Sequence, residues 1–175
     1  RRRAARRARA RDAAYTYDAL RRMHRGRDAA ALHAVCYETH AADGRRVVCY
    51  AAARVAMHRA DLAHLAHHVL HVLGAGGPCD VLVDLTGASE AHLPPLQWAV
   101  YVLEIAPPAV LANVRTLVVL NAGTAVRHYL RAWVPVAWPG RVVFATSLAE
   151  VAPLAPAGVL PASTLALLPS APPAP

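Results

Sequence analysis

Four histidines within eight residues have the type and spacing of metal ligands. His64, His67, His68 and His71 lie at positions i, i+3, i+4 and i+7 of one helical stretch, so their rings share a face. Two histidines four residues apart on a helix can bind zinc. Four rings spread along two turns cannot all converge on one ion, however, and no cysteine or carboxylate completes a two-histidine site. We therefore expect no metal here, and a solvated polar face that gains charge below about pH 6.5.

A second group of polar residues has the composition of a hydrolase site. Asp84 and Thr86 end an apolar run, and Ser89, Glu90 and His92 follow closely. Ligands of α/β proteins commonly bind at the carboxyl edge of the sheet, where this run ends. The nucleophile elbow GxSxG of a hydrolase is missing, however. We expect turn capping and strand-end hydrogen bonds from these residues, and an ester hydrolase remains only a third hypothesis.

The glycine-rich stretch Gly74-Ala75-Gly76-Gly77 has the composition of a phosphate-binding loop. It follows a helical pattern and precedes an apolar run, whereas a dinucleotide fingerprint follows a strand and opens a helix. The chain has no lysine, so the P-loop motif GxxxxGK[ST] cannot occur. We expect neither nucleotide binding nor catalysis, and the chain is predicted not to be an enzyme.

Residues 124–138 combine an apolar helix face with a basic strip. Arg127 and Arg131 lie four residues apart and form the strip. Two interpretations stay open. One is a plain amphipathic helix with its arginines in water. The other is a wall of an acyl-chain cavity, with arginine holding a phosphate near the mouth. Pro135 is expected to shorten the helix. The apolar face consists of Val126, Tyr129, Leu130 and Trp133.

The elements that must position these residues alternate between strands and helices. Asp43-Gly44 is a turn signal between two β-prone runs, 35–39 and 46–52, which predicts a hairpin. Continuous apolar runs predict buried parallel strands. The fold class is therefore α/β, a mostly parallel sheet with helices on its faces and an antiparallel hairpin at its start. Further strands are predicted at 80–86, 114–120 and 141–146, and helices at 12–35, 61–73 (with Asp61 as N-cap), 94–105 and 124–133.

Charge and composition divide the chain into three parts. Seven of the nineteen arginines lie in residues 1–11, which we interpret as an Arg-rich leader or linker. The remainder carries twelve arginines against eleven carboxylates, so nucleic-acid binding is not expected. Residues 12–168 form one domain, with a helical part at 12–34, and residues 169–175 form a Pro/Ala tail. Residues 151–175 carry no charge, but seven prolines prevent a membrane-spanning helix.

The three cysteines indicate the cellular setting. Cys36, Cys49 and Cys79 are odd in number, widely spaced and without a CxxC pair. This pattern argues against a disulfide framework and against a thiolate zinc site. We therefore expect a cytoplasmic, reducing location.

The order of the sequence motifs is similar to that of a known domain family. It runs DGRRVVCYAAAR, HHVLHVL, VLVDLT, NVRTLVVLNAGTAVRHYL, RVVFAT and LPASTLAL. This order resembles the CRAL-TRIO lipid-exchange domain of neurofibromin and neurofibromin-like Ras GTPase-activating proteins, over residues 35–167. The pairing of VDLT with NxxxxVRxYL and the closing LPASTLAL are the most specific parts of the resemblance.

The resemblance implies a phospholipid-binding regulatory module with a gating helix over a lipid cavity. The ligand is a glycerophospholipid, no cofactor or metal is needed, and the closing helix falls on residues 124–136. It also implies transient contact with a membrane surface, and contact with a small GTPase only through other domains of a parent protein. The alternative is a protein-interaction scaffold that keeps the fold without lipid. The expected pocket and gate residues are Tyr50, Leu120, Thr124, Val126, Arg127, Tyr129, Leu130, Trp133 and Phe144.

Overall fold

A computed structural model describes residues 32, 34–55, 61–93, 95–137, 140–153, 160 and 164. Side chains are described for most of these, but not for positions 96, 97, 99, 100, 129, 132–137 and 148. The predictions for the leader at 1–11, for most of the helix at 12–35 and for the tail at 169–175 lie outside the described residues.

The described strands form one five-stranded sheet in the order β1-β2-β3-β4-β5. β1 runs antiparallel to β2, and every later pair is parallel, as the sequence predicts. Gly44 has φ +80°, the left-handed conformation that the hairpin turn between β1 and β2 requires and glycine tolerates best. The strands are β1 (Cys36–His40), β2 (Arg46–Ala51), β3 (Cys79–Asp84), β4 (Val114–Leu120) and β5 (Arg141–Ala145).

Five α-helices alternate with the strands in the described residues. The Pro107-Pro108 pair ends one helix and opens another, because proline is compatible with the first turn of a helix. The last long helix continues through Pro135 to its end at Ala137, so the proline does not shorten it as expected. None of the described helices is long and apolar enough to cross a bilayer. The helices are α1 (Leu62–Gly74), α2 (Leu96–Ile105), α3 (Pro108–Asn113), α4 (Thr124–Ala137) and α5 (Leu148–Val151).

Both ends of α1 are capped by side chains. Asp61 is the N-cap, as predicted, and its Oδ1 accepts a hydrogen bond from the His64 backbone N–H at 3.0 Å. At the other end, the guanidinium of Arg46 donates to the carbonyl oxygens of Val72 and Leu73. A cation is favourable there because the last carbonyls of a helix carry partial negative charge. α1 is thereby tied to the first residue of β2.

The glycine-rich turn after α1 makes room for the same arginine. A Cβ atom added to Gly76 would meet Arg46 Nε at 2.8 Å, too close for any side chain. Arg46 also donates to the Gly77 carbonyl at 3.1 Å and forms an ion pair with Glu38 at 2.7 Å. The turn therefore packs against the Arg46 side chain.

The two faces of the sheet are covered differently. On the cavity face, which includes Val81 and Val83 of β3, the sheet meets α1, α2 and α4. On the packed face, which includes Leu82 of β3, the sheet meets Val151 of α5 and Leu160. Successive residues of a strand point to opposite faces, so neighbouring residues of β3 belong to different halves of the core.

Candidate functional site

A cavity of about 540 Å³ lies between the cavity face and the helices α1, α2 and α4. The sheet supplies its floor, and the helices supply its walls and roof. Strands contribute alternate residues because only every second side chain points to this face. The lining consists of Cys36, Val48, Tyr50, Ala52, Val69, Leu73, Val81, Val83, Leu85, Leu93, Trp98, Val102, Leu103, Leu117, Val119, Ala125, Val126 and Leu130.

The described cavity wall carries no charged side chain. The lining residues that carry a polar side-chain atom are Cys36, Trp98 and Tyr50. Burial raises the pKa of Cys36 to about 12, so this thiol stays neutral at ordinary pH. Trp98 Nε1 donates to the Leu62 carbonyl at 2.7 Å. The Tyr50 hydroxyl is buried and has no hydrogen-bond partner among the described residues.

The dimensions of the cavity match one hydrocarbon chain. Its floor crosses from β1 to β4, which is three strand spacings or about 14 Å. A methylene group is about as large as a water molecule, whose share of the liquid is about 30 Å³, so 540 Å³ corresponds to about 18 such groups. The volume also lies within the usual range of ligand pockets, roughly 300–1,000 Å³.

The cavity opens toward the carboxyl edge of the sheet. Among its lining residues, Ala125 in the first turn of α4 is exposed, whereas Cys36, Val48 and Ala52 are at most 1 % exposed. Leu85, directly after β3, borders the same edge and is half-buried. A ligand would therefore enter near α4 and reach toward β1 and β2.

Three of the expected site residues line the cavity. Tyr50 belongs to the floor, and Val126 and Leu130 of α4 form part of the wall. Phe144 of β5 is paired with Val119 in the sheet, so it points to the same face, where it lies beneath α4. Thr124 is the exposed first residue of that helix.

The arginines of α4 are turned toward β5. The guanidinium carbons of Arg127 and Arg131 lie 5.6 Å and 5.3 Å from the centre of the Phe144 ring. Arg127 Nε also donates to the Ala122 carbonyl at 2.8 Å. The Phe144 ring thus holds both arginines beside the cavity at cation–π distance, and Arg127 is held by the hydrogen bond as well.

One expected site residue, Leu120, lies elsewhere. It is fully buried on the packed face, because it is one position beyond Val119 and the strand alternates. The side chains of Tyr129 and Trp133 lie outside the described residues, and so does Trp138.

Most of the cavity floor was missed at the sequence level. Val81, Val83, Leu117 and Val119 occur in continuous apolar runs, which indicate burial on both faces of the sheet without distinguishing them. In α2, Trp98 and Val102 are four residues apart and share a face, a signal that identifies one inward stripe. Helical spacing alone does not show that these residues border a cavity and not a packed core.

The polar residues at the carboxyl edge form a hydrogen-bonded network. Asp84 Oδ1 accepts from the Thr86 backbone N–H at 2.9 Å, and Asp84 Oδ2 accepts from the Thr164 hydroxyl at 2.6 Å. Asn121 Nδ2 donates to the Thr86 hydroxyl at 2.8 Å. Asn121 has φ 55°, a conformation that asparagine tolerates better than most residues. Asp84 and Thr86 therefore form the hydrogen bonds at the end of β3 that the sequence predicts.

The remaining polar candidates also have local partners. His67 is buried, which departs from the expected solvated face, and His68 Nε2 lies 2.9 Å from the Cys36 carbonyl oxygen. The Ser89 hydroxyl lies 2.8 Å from His92 Nδ1 in a short 3-10 turn. Within the described ranges, no group of three or more His, Cys, Asp or Glu side chains is placed to hold a metal ion.

A scan of protein families identifies the class to which this fold and cavity belong. Residues 44–165, more than half of the chain, match the divergent CRAL/TRIO domain. The chain belongs to this family, and membership suggests that it binds lipid. The match identifies the family and not a particular member. A search of curated proteins finds no match.

Proposed function

We propose that the chain is a non-catalytic, phospholipid-binding regulatory module. One acyl chain lies in the apolar cavity, and the charged head group stays at the mouth near α4. The observation that carries this proposal is the 540 Å³ cavity, whose described wall is without charge. Transferring hydrocarbon from water is favourable by about 0.8 kcal/mol per CH₂, so the chain can be held without covalent chemistry.

The cavity favours lipid binding over a protein-interaction scaffold. A scaffold that had lost its ligand would be expected to fill the space with its own side chains, because protein interiors pack about as densely as organic crystals. Here the sheet and three helices surround about 540 Å³ of open space. This difference supports a resident hydrophobic ligand.

A non-enzymatic role agrees with the use of the polar residues. Asp84 is occupied by Thr86 and Thr164, and Ser89 and His92 interact with each other in an exposed turn. Each of these groups serves local structure and none of them lines the cavity. A hydrolase would need a nucleophile and a base directed at the bound lipid.

We also propose a role in small-GTPase regulation, with cytoplasmic location and transient membrane contact. The support is the similarity of VDLT, NxxxxVRxYL and LPASTLAL to neurofibromin-like Ras GTPase-activating proteins. Sequencing the whole transcript tests this context. A GTPase-activating domain encoded upstream in the same reading frame is expected, and a complete frame without one would contradict the proposal.

Lipid binding is tested with the purified 175-residue chain by native mass spectrometry and lipid extraction. We expect one phospholipid per chain. Ala125→Trp should prevent loading, because it places an indole at the mouth from an exposed helix position and so costs little stability. The matched control is Ala109→Trp, an exposed position of α3 that does not line the cavity.

Each outcome of this experiment has a definite meaning. Lipid on the wild type and on Ala109→Trp, but lost from Ala125→Trp, supports the cavity as the binding site. A folded wild type that neither carries lipid nor acquires it from phosphatidylcholine vesicles contradicts the proposal and favours the scaffold. Equal lipid occupancy in the two variants would indicate that lipid does not enter the protein near Ala125.

A further inference from the structure

The cavity is closed toward the amino edge of the sheet. Two residues before Val81, and therefore on the same face of β3, lies Cys79, which is 1 % exposed and packs with Ile105 and Val110 in a solid cluster. At the other edge, the lining along this strand ends at Leu85, which is half-buried beside the mouth. A chain that enters at the mouth therefore meets a closed end at the level of Val81.

The floor of the cavity is about as deep as it is broad. From Val81 to Leu85 the backbone advances four residues, about 13 Å, and the strands from β1 to β4 span about 14 Å. The longest straight path across such a floor, its diagonal, is about 19 Å. A fully extended chain of about 18 carbons measures about 22 Å, because each bond of about 1.5 Å advances the zigzag by about 1.3 Å. Such a chain does not fit unless it bends.

The volume nevertheless corresponds to about 18 methylene groups. Val69 of α1, on the β1 side, and Leu130 of α4, on the β5 side, both line the cavity and are only partly buried. Open space therefore extends across the sheet as well as along it. A straight chain short enough for the floor would leave part of this space empty, and the wall there would forgo its contacts with the ligand.

We propose that the cavity binds one hydrocarbon chain of about 18 carbons in a bent conformation, and that it selects a chain with a cis double bond near its middle. A cis double bond builds the bend into the chain, whereas a trans double bond keeps the same atoms straight and does not rotate. The described wall is uncharged, so selection acts on the chain and not on the head group. This inference rests on the proposed lipid-binding function and names the class of chain that the site takes.

Two lysophospholipids that differ only in the geometry of one bond test the inference. 1-Oleoyl-lysophosphatidylcholine has a cis double bond, and 1-elaidoyl-lysophosphatidylcholine has the same atoms with a trans double bond. 1-Decanoyl-lysophosphatidylcholine serves as a short chain that fits the depth of the floor without bending. Each lipid is titrated into the purified chain below its aggregation concentration, against displacement of a fluorescent fatty-acyl probe.

Wild-type protein should bind the oleoyl lipid about tenfold more tightly than the elaidoyl lipid, since a straight segment at the turn would leave about two methylene groups in water. It should also bind the oleoyl lipid more than about a hundredfold more tightly than the decanoyl lipid, because the carbons beyond the turn still lie in the cavity.

A ring placed at the closed end should remove the preference for the cis chain. Val81 is partly buried and lines the cavity, so Val81→Phe directs its ring into the space that the bent chain needs. Its affinity for the oleoyl lipid should fall to that for the elaidoyl lipid. The matched control is Ala109→Phe, an exposed position of α3 that does not line the cavity, and it should keep the wild-type preference.

The wild-type comparison decides the inference even if Val81→Phe fails to fold. Equal affinity for the oleoyl and elaidoyl lipids, or an oleoyl affinity no higher than that for the decanoyl lipid, overturns the bent chain while leaving lipid binding intact. A cis preference that stays at full strength in folded Val81→Phe would show that it arises outside this cavity. Failure of all three lipids to bind would instead overturn the proposed function, and this inference with it.

Discussion

The two faces of the sheet differ in how their apolar side chains are used. On the packed face, Leu82, Val118 and Leu120 are at most 1 % exposed and form one buried cluster with Val151 of α5 and Leu160. On the cavity face, Val81 and Val83 are only partly buried and border open space. Strand residues that are neighbours in sequence thus serve a solid core on one face and a ligand cavity on the other.

The motifs VDLT and NxxxxVRxYL contribute to both faces of the sheet, since Val83 and Val126 line the cavity whereas Asp84 does not. Asp84 of VDLT points to the packed face, where it accepts a hydrogen bond from Thr164 of LPASTLAL. Asn121 is joined to Thr86 beside them. These hydrogen bonds connect the ends of β3 and β4 with each other and with Thr164. The polar residues of the motifs therefore serve the fold, whereas their apolar residues also border the cavity.

The largest change in stability is expected when the hydrogen-bonded network of Asp84 on the packed face is removed. Asp84→Ala leaves the Thr86 N–H and the Thr164 hydroxyl without their acceptor, so we expect the free energy of unfolding to fall by about 3–5 kcal/mol. Urea denaturation measures this. Asp43→Ala is the control, because that carboxylate is exposed and solvent screens its ion pair with Arg45, so the free energy of unfolding should change little.

Lipid affinity of the Asp84→Ala variant tests whether Asp84 contributes to stability alone or also to lipid binding. Asp84→Ala, studied at a temperature where it is still folded, should bind lipid with wild-type affinity because Asp84 does not line the cavity. Lost lipid affinity together with unchanged stability would contradict the division between the two faces.

A second prediction compares adjacent residues of β3. Leu82→Phe overpacks the packed face and should lower the free energy of unfolding by about 1–3 kcal/mol. Val83→Phe instead directs its ring into open space, so it should leave stability within about 0.5 kcal/mol and reduce lipid occupancy. Equal destabilisation by both substitutions would mean that the cavity face is as tightly packed as the other.

The smallest expected effect concerns two buried thiols, Cys36 on the cavity face and Cys49 on the packed face. Burial raises the pKa of each from 9.0 to about 12. Below pH 9 folded and unfolded chains both keep these protons. Between pH 9 and 12 the unfolded chain releases them first, so the free energy of unfolding falls as pH rises. At pH 10 each thiol accounts for roughly 1 kcal/mol of that loss.

Single substitutions assign this pH dependence to one face or the other. Cys36→Ala and Cys49→Ala should each reduce the loss between pH 8 and pH 10 by roughly 1 kcal/mol, measured by urea denaturation. A reduction in Cys49→Ala without one in Cys36→Ala would indicate that water enters the cavity and lets Cys36 ionise in the folded state.

Much of the described fold was predictable because its signals are local. The hairpin followed from Asp43-Gly44, and the start of α1 followed from Asp61 as N-cap. The short helix α3 was not predicted, since Pro107-Pro108 was interpreted only as a stop. The continuation of α4 past Pro135 was also missed, because a proline that removes one hydrogen bond near a helix end does not always end the helix.

The candidate site was predictable only in part. Val126 and Leu130 follow from the helical spacing of one apolar face, and Tyr50 from its place in a predicted strand. Leu120 was assigned to the cavity although it belongs to the packed face, since a uniformly apolar strand does not reveal which alternate positions border the void. The unpaired state of the Tyr50 hydroxyl depends on neighbours far away in sequence.

The sequence by itself determined the α/β class, a mostly parallel sheet that begins with an antiparallel hairpin, and membership of the CRAL/TRIO family, because hydrophobic runs, turn residues and motifs are written along the chain. The order of the strands came from the structure. Only the tertiary structure decided that one face of the sheet is solid and the other hollow. A cavity is space left between elements, and it depends on how closely α1, α2 and α4 approach the sheet. That distance results from packing among distant residues, which no local pattern encodes.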